Sequence, residues 1–259
     1  MLSCFLQGGL GNQLFQICAV ISYAIKNKQE FCFLNLKDLP GGNTPRHTYF
    51  AEFHLTKYLV DRLPPMNTLV ESGFHYSELP YTNENVRLWG YFQSYRYFEN
   101  YFNIIYKLLG IEKMKQNFGN LEETSMHFRK GDSVFNPDIH PILDYYYYES
   151  ALTYIKPKRV LYFNEKEDDE HVFAIIERLK KKFDDCEFTQ APHSLLDWEQ
   201  MILMSCCKNN IIANSTFSWW GAYFNKNDKI VCYPSLWFGS AVSHDTKDLC
   251  PENWVKIKC

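Results

Sequence analysis

Ser125-Met126-His127-Phe128-Arg129-Lys130-Gly131-Asp132 decides the fold, because it reads as a buried strand that delivers charge to a loop. Met126 and Phe128 alternate with His127 and Arg129, and the run breaks at Gly131, where two cations and a carboxylate gather. In open sheets of parallel strands, ligands bind beyond the carboxyl ends of the strands, where loops carry chemistry and strands hold them rigid. An arginine held this way suits phosphate: its planar fork takes two oxygens at once, each charge-assisted bond contributing roughly 1.5 to 3 kcal/mol. The alternative is an Arg129–Asp132 ion pair acting as a structural clasp.

Upstream, Leu2 to Leu6 reads as a short apolar strand. It is followed by Gln7-Gly8-Gly9-Leu10-Gly11-Asn12-Gln13 and by a run with Leu14, Cys18, Ile21 and Ile25 on one helical face. With Phe31 to Leu36 as the next strand, this predicts a βαβ unit at the start of the chain. Gly9 and Gly11 let the backbone approach a ligand, and a helix amino end suits an anion. The turn is not the dinucleotide fingerprint, because Leu14 stands where a third glycine or alanine belongs. A plain tight turn is the alternative; the Asn12 and Gln13 amides, which can bond a phosphate or hydroxyl without adding charge, favour a site.

Residues 37–85 are rich in breakers, with Pro40-Gly41-Gly42-Asn43 and Pro64-Pro65, and predict loops and short helices suited to a variable partner. Asp38, Arg46, His47, Tyr49 and His54 are site candidates there, each with an ordinary surface reading beside it. Val86 to Tyr91 reads as a strand, with Phe92-Gln93-Ser94 at its carboxyl end, and Phe98 to Leu109 as an amphipathic helix. The polar stretch Gly110 to Glu123 marks the boundary between two halves, 1–118 and 119–259.

Downstream the α/β rhythm repeats. Ser125 to Arg129, Val160 to Asn164, Glu187 to Thr189, Asn210 to Ala213 and Lys229 to Tyr233 read as strands. Asp144 to Ile155, with tyrosines at 145 to 148, and Ser194 to Cys206 read as helices; Asp168-Asp169-Glu170 opens another, where acids suit the positive end of the dipole. No Asp-x-Asp pair of the kind that holds a divalent ion on a nucleotide sugar is present, so no metal site is expected. Asn214-Ser215-Thr216-Phe217-Ser218 sets three hydroxyls and an amide between a strand and a helix. A cap needs one of them, and the surplus favours a phosphate cradle over a purely structural turn.

Composition bounds the function. With 46% hydrophobic and 22% charged residues the chain is globular, and a net charge of −3 gives no support to nucleic-acid binding. The 17% aromatic content fits a packed interior and aromatic walls for sugar rings. Nine cysteines without regular spacing fit free thiols in a reducing compartment rather than a disulfide framework or zinc. The longest apolar run, Leu14 to Ile25, is interrupted by Gln16, Ser22 and Tyr23, so no integral membrane segment is expected. A cytoplasmic protein is predicted.

Together these motifs resemble the α-1,2-fucosyltransferases of glycosyltransferase family 11. Gly8 to Gln16 is similar to the family's amino-terminal motif, Gly90-Tyr91-Phe92-Gln93-Ser94 with Tyr97-Phe98 to its Gly-Tyr-aromatic-Gln-Ser segment, His127 to Asp132 to its His-x-Arg-x-Gly-Asp signature, and Asn210 to Ala222 to its long motif before the last core strand. The resemblance implies a GT-B fold, two Rossmann-like halves facing across a cleft. The amino-terminal half lies on the acceptor side and the carboxy-terminal half binds GDP-fucose, with the last ~20 residues packing back on the amino-terminal half. It implies inverting transfer of L-fucose to the 2-hydroxyl of a terminal galactose or similar hexose, with no cofactor required. Arg129 would stabilise the departing diphosphate, His127 contact the nucleotide, Asp132 position the loop, Thr216, Phe217 and Ser218 cradle phosphate and guanosine, and Asn12 approach the diphosphate or fucose. Asn164-Glu165-Lys166-Glu167-Asp168-Asp169 departs from the family's Ser-Asp-Asp, which leaves the guanine-contacting acid open. Asp38 and Glu52 are the base candidates. A protein hydroxyl or unusual sugar as acceptor, and a sugar- or nucleotide-binding module without catalysis, remain as alternatives.

Overall fold

The computed structural model describes residues 1–39, 45–131 and 138–259; the Pro40 to Asn43 turn and Asp132 therefore lie outside the described residues. Two compact units emerge, Met1–Lys113 with His244–Pro251, and Met114–Ser243 with Glu252–Cys259.

The first unit carries β1 (Leu2–Cys4), α1 (Leu10–Asn27), β2 (Phe33–Leu34), β3 (Leu59–Val60), β4 (Asn67–Val70), β5 (Val86–Trp89) and α2 (Phe102–Leu108); α3 (Ile111–Lys115) begins there and ends in the second unit. β1, β5 and β4 form a parallel sheet in the order β1-β5-β4, with Leu2 opposite Val86 and Cys4 opposite Leu88. Helix α1 is buried almost all round, including Leu14, Cys18 and Ile21, and its buried amides Gln13 and Gln16 donate to backbone groups of the loop before it. The βαβ unit expected over 2–36 is reduced to one bridge, Leu2 with Phe31. Beyond it, Phe33-Leu34 pairs with Leu59-Val60 instead. Aromatic packing explains the detour: Phe31 lies 4.4 Å from Tyr58 and Phe33 5.3 Å from Phe50, centroid to centroid.

The second unit carries β6 (Leu121–His127), α4 (Tyr145–Ile155), β7 (Arg159–Phe163), α5 (Asp169–Lys182), β8 (Glu187–Gln190), α6 (Asp197–Cys206), β9 (Cys207–Ile211), α7 (Thr216–Tyr223), β10 (Val231–Pro234) and β11 (Val255–Ile257). Its six strands are all parallel, in the order β8-β7-β6-β9-β10-β11. Counted within the unit this is 3-2-1-4-5-6, the doubly wound order, whose switch point lies between β6 and β9. One core cluster joins Met126, Val160 and Ile211 to Tyr147, Tyr148 and Leu152 of α4 and Val172 and Ile176 of α5; a second joins Phe163 to Leu203 and Met204 of α6.

Strand β6 differs from its expected span, starting at Leu121 and ending at His127. Pairing with β7 on one side and β9 on the other extends it back through Glu122 and Glu123, because a central strand is set by its ladders as well as by its pattern. The stretch 110–123 is likewise more ordered than its polarity suggests, since Ile111 and Met114 are buried and support α3. No disulfide joins any of the nine cysteines. Among the described residues, no helix is long and apolar enough to cross a membrane.

Candidate functional site

In the second unit the candidate side chains gather at the switch point. His127 ends β6, Arg129 follows it, and residues 212–215 connect β9 to α7, which opens with Thr216 and Phe217. Arg129 Nη1 donates to the Asn214 carbonyl at 2.6 Å, tying together the loops that leave the two central strands. The ring of His127 lies 5.5 Å from that of Phe217, centroid to centroid. Burial, and after it the neighbouring Arg129 guanidinium, lowers the His127 pKa to about 3, so the imidazole is neutral at physiological pH. Its buried Nδ1 meets no hydrogen-bond partner among the described residues.

The tyrosine run of α4 ties down this end of the sheet. The helix is capped by Asp144, whose carboxylate accepts from the Tyr146 and Tyr147 amides. The Tyr148 hydroxyl donates to the His127 carbonyl at 3.2 Å, and the Tyr147 hydroxyl to the Ile212 carbonyl, with Cys232 O at 3.3 Å. Two adjacent helical side chains therefore fasten the ends of both central strands.

The hydroxyl loop is partly spent on its own structure. Ser215 caps α7 by accepting from the Phe217 amide, and the buried Ser218 hydroxyl turns back to the Ser215 carbonyl at 3.4 Å. Asn214 is buried; its Nδ2 donates to the carbonyls of Pro141 and Trp237, while its Oδ1 is an acceptor and unsuited to phosphate. Thr216 and Phe217 are half-buried at the amino end of α7, where helix amides favour negative charge.

In the first unit the glycine loop is built differently. Gly8 takes the left-handed conformation, φ +77°, and a Cβ there would lie 2.3 Å from Asn12 Nδ2, so this position requires glycine. Of the three loop glycines, the positive φ belongs to Gly8; Gly9 is the extended N-cap of α1 and Gly11 lies in the helix. Gln13 Nε2 donates to the carbonyls of Gly8 and His47, and Gln16 pairs reciprocally with the Gln7 backbone. Asn12 Oδ1 accepts from Gln93 Nε2 at 3.1 Å, which joins the glycine loop to the Gly90-to-Ser94 segment. That segment is pinned by Glu71, whose Oε2 accepts from the Tyr91 and Phe92 amides, and by Ser94, which donates to the Asp248 carbonyl. Gly90 is required because a Cβ would lie 2.3 Å from that of Glu71.

Among the weaker candidates, Arg46 places a guanidinium nitrogen 3.6 Å from the Cβ position of Gly9. Asp38 is exposed and bridges His47 through the backbone. Tyr49 is buried against His47, and His54 fills the space left by Gly110. Two features escaped the sequence reading. Asp168 is buried and accepts from the Gly131 amide at 2.9 Å, so it holds the loop after β6 rather than serving as helix-start chemistry alone. Asp169 accepts from Asn164 and Gln190, each at 2.7 Å, and meets His193 Nε2 at 3.0 Å. The Asn164 bond first among these contacts lowers its pKa. The family-like departure at 164–169 was the available signal, but only the strand order brings β7 and β8 together. Among the described residues, no three His, Cys, Asp or Glu side chains gather where they could hold a metal ion.

Comparison with known proteins places this arrangement. The chain is 29% identical to the O-antigen biosynthesis glycosyltransferase WbnK of Escherichia coli, over 99% of this chain and all of that protein. It is 27% identical to an alpha-1,2-colitosyltransferase of Escherichia coli, over 98% and 97% of the two chains. Among solved structures, the ADP-heptose lps heptosyltransferase II of E. coli aligns with 57% of this chain and 42% of its own, at 17% identity and a TM-score of 0.37. The family model of glycosyl transferase family 11 matches residues 42–258, and the chain belongs to that family.

Proposed function

We propose that the protein transfers L-fucose from GDP-fucose, with inversion, to the 2-hydroxyl of a terminal galactose or similar hexose, as a step in glycan biosynthesis. The observation that carries this reading is Arg129 fixed at the switch point of a doubly wound sheet, beside a helix amino end, within a glycosyltransferase family 11 chain. Departure of GDP develops charge on the β-phosphate, and a fixed guanidinium with helix amides can stabilise it without a metal or other cofactor. The neutral His127 and its neighbour Phe217 would face the nucleoside, Thr216 the phosphates, and Asp132 would order the loop; Gly9, Gly11 and Asn12 would serve the donor through backbone and amide. Asn214, Ser215 and Ser218 would act behind them by holding the loop. The α-1,2 linkage in the name of the colitosyltransferase relative supports a 2-hydroxyl acceptor. Nine cysteines with no disulfide among them suit a reducing, cytoplasmic location.

That same relative favours a second reading in which the donor carries colitose. Incubating the chain with GDP-fucose and a panel of β-galactosides, then assigning the product linkage by NMR, tests the proposal. An α-1,2-fucoside is expected. Failure to consume GDP-fucose with every galactoside, while another nucleotide sugar is used, would refute it.

A further inference from the structure

A cavity of about 430 Å³ lies wholly in the first unit. That is within the roughly 300–1,000 Å³ of small-ligand sites. Its polar lining is Asn35, Lys37, His47, Thr48, Glu52 and Thr56, with Phe50 and Leu59 as apolar lining. Three features set it apart from a surface dent. Glu52 is half-buried, and its Oε2, fully buried, meets no hydrogen-bond partner among the described residues. A carboxylate oxygen in that state is an acceptor awaiting donors, and hydroxyls are the neutral donors that suit it. The wall is also fixed to the glycine loop, because the His47 carbonyl takes the Gln13 amide at 2.8 Å while Gln13 also bonds Gly8. A third point is rigidity at the base, where Thr48 donates to the Leu36 carbonyl at 2.6 Å and Phe50 packs on Phe33.

We propose that this cavity binds the acceptor glycan, with Glu52 taking hydrogen bonds from hydroxyls of its hexose. A mixed lining of amide, hydroxyl, ammonium and carboxylate groups on an apolar base is the chemistry that orients a pyranose, whose edge is hydroxyl-rich and whose face is apolar. The inference rests on the chain being a glycosyltransferase, which requires an acceptor, and not on the identity of its donor.

Saturation-transfer NMR on the full chain, with methyl β-galactoside and lactose as probes, tests it. Wild type is expected to show saturation transfer to both probes. Thr56→Trp, which fills the cavity from an exposed position, should abolish it; the isosteric Glu52→Gln should weaken binding at least ~10-fold, as loss of a charged acceptor predicts. GDP titration should be unchanged in both variants. Absence of signal in wild type, or a wild-type signal in Thr56→Trp, would overturn the proposal. Galactoside binding that is lost in Thr56→Trp, in a chain that never uses GDP-fucose, would uphold the cavity and break the donor reading alone.

Discussion

Two strand–loop–helix joints in this protein face the same problem and solve it with opposite materials. Between β1 and α1 the loop is glycine, the N-cap Gly9 brings no side chain, and amides from the helix itself, Gln13 and Gln16, brace the loop. Between β9 and α7 the joint is rich in hydroxyls, Ser215 supplies the cap, and the bracing comes from elsewhere in the unit, from Arg129 on the neighbouring strand's loop and Tyr147 of α4. The first joint has the Arg46 guanidinium beside its N-cap Gly9; the second has Arg129, tied to the Asn214 carbonyl, at the switch point of the six-stranded sheet. The second joint's cation is fixed by a neighbouring loop at the switch point of a doubly wound sheet, where ligands bind, and the donor chemistry is proposed there.

Removing the cation is the strongest way to break that contrast. Arg129→Ala should lower kcat/KM about 10²–10³-fold, in the range of losing one transition-state donor, while circular dichroism stays that of the wild type. Near-normal turnover would return Arg129 to a clasp between loops. The glycine joint should fail by a different route: Gly8→Ala forces a Cβ onto Asn12 at φ +77° and should cost about 1–3 kcal/mol in urea unfolding. In the second unit, Tyr147→Phe leaves buried carbonyls without their donor and should cost about 1–3 kcal/mol. A pH-dependent effect concerns His127. Its folded pKa of about 3 lies below the ordinary 6.5, so on acidification the unfolded chain takes up a proton before the native one does. Its contribution therefore weakens stability as pH falls from about 6.5 toward 3, and His127→Gln should flatten the fall in unfolding midpoint over that window.

Much of the second unit was legible because its strands read as apolar or alternating runs that end in charge, as at Met126 to Arg129. The tyrosine run announced α4 but not its purpose, since only the sheet order brings Tyr147 and Tyr148 under the two central strands. Phe31 to Leu36 misled because its pattern is that of a strand while its partner is chosen by distant aromatics at 50 and 58. The hydroxyl loop was read as a cradle of surplus donors; Ser215 and Ser218 are engaged locally, a competition that composition cannot reveal. Asp168 showed the converse, a residue with an adequate local explanation that reaches 37 positions away to Gly131.

Calorimetric titration of GDP into the wild type and Arg129→Ala, in EDTA and with UDP as control, tests the assignment of the donor site most directly. GDP should bind the wild type in EDTA, UDP should not, and Arg129→Ala should lose most of that affinity. Equal GDP binding by both chains, or binding that appears only on adding magnesium or manganese, would contradict a metal-free site built on Arg129.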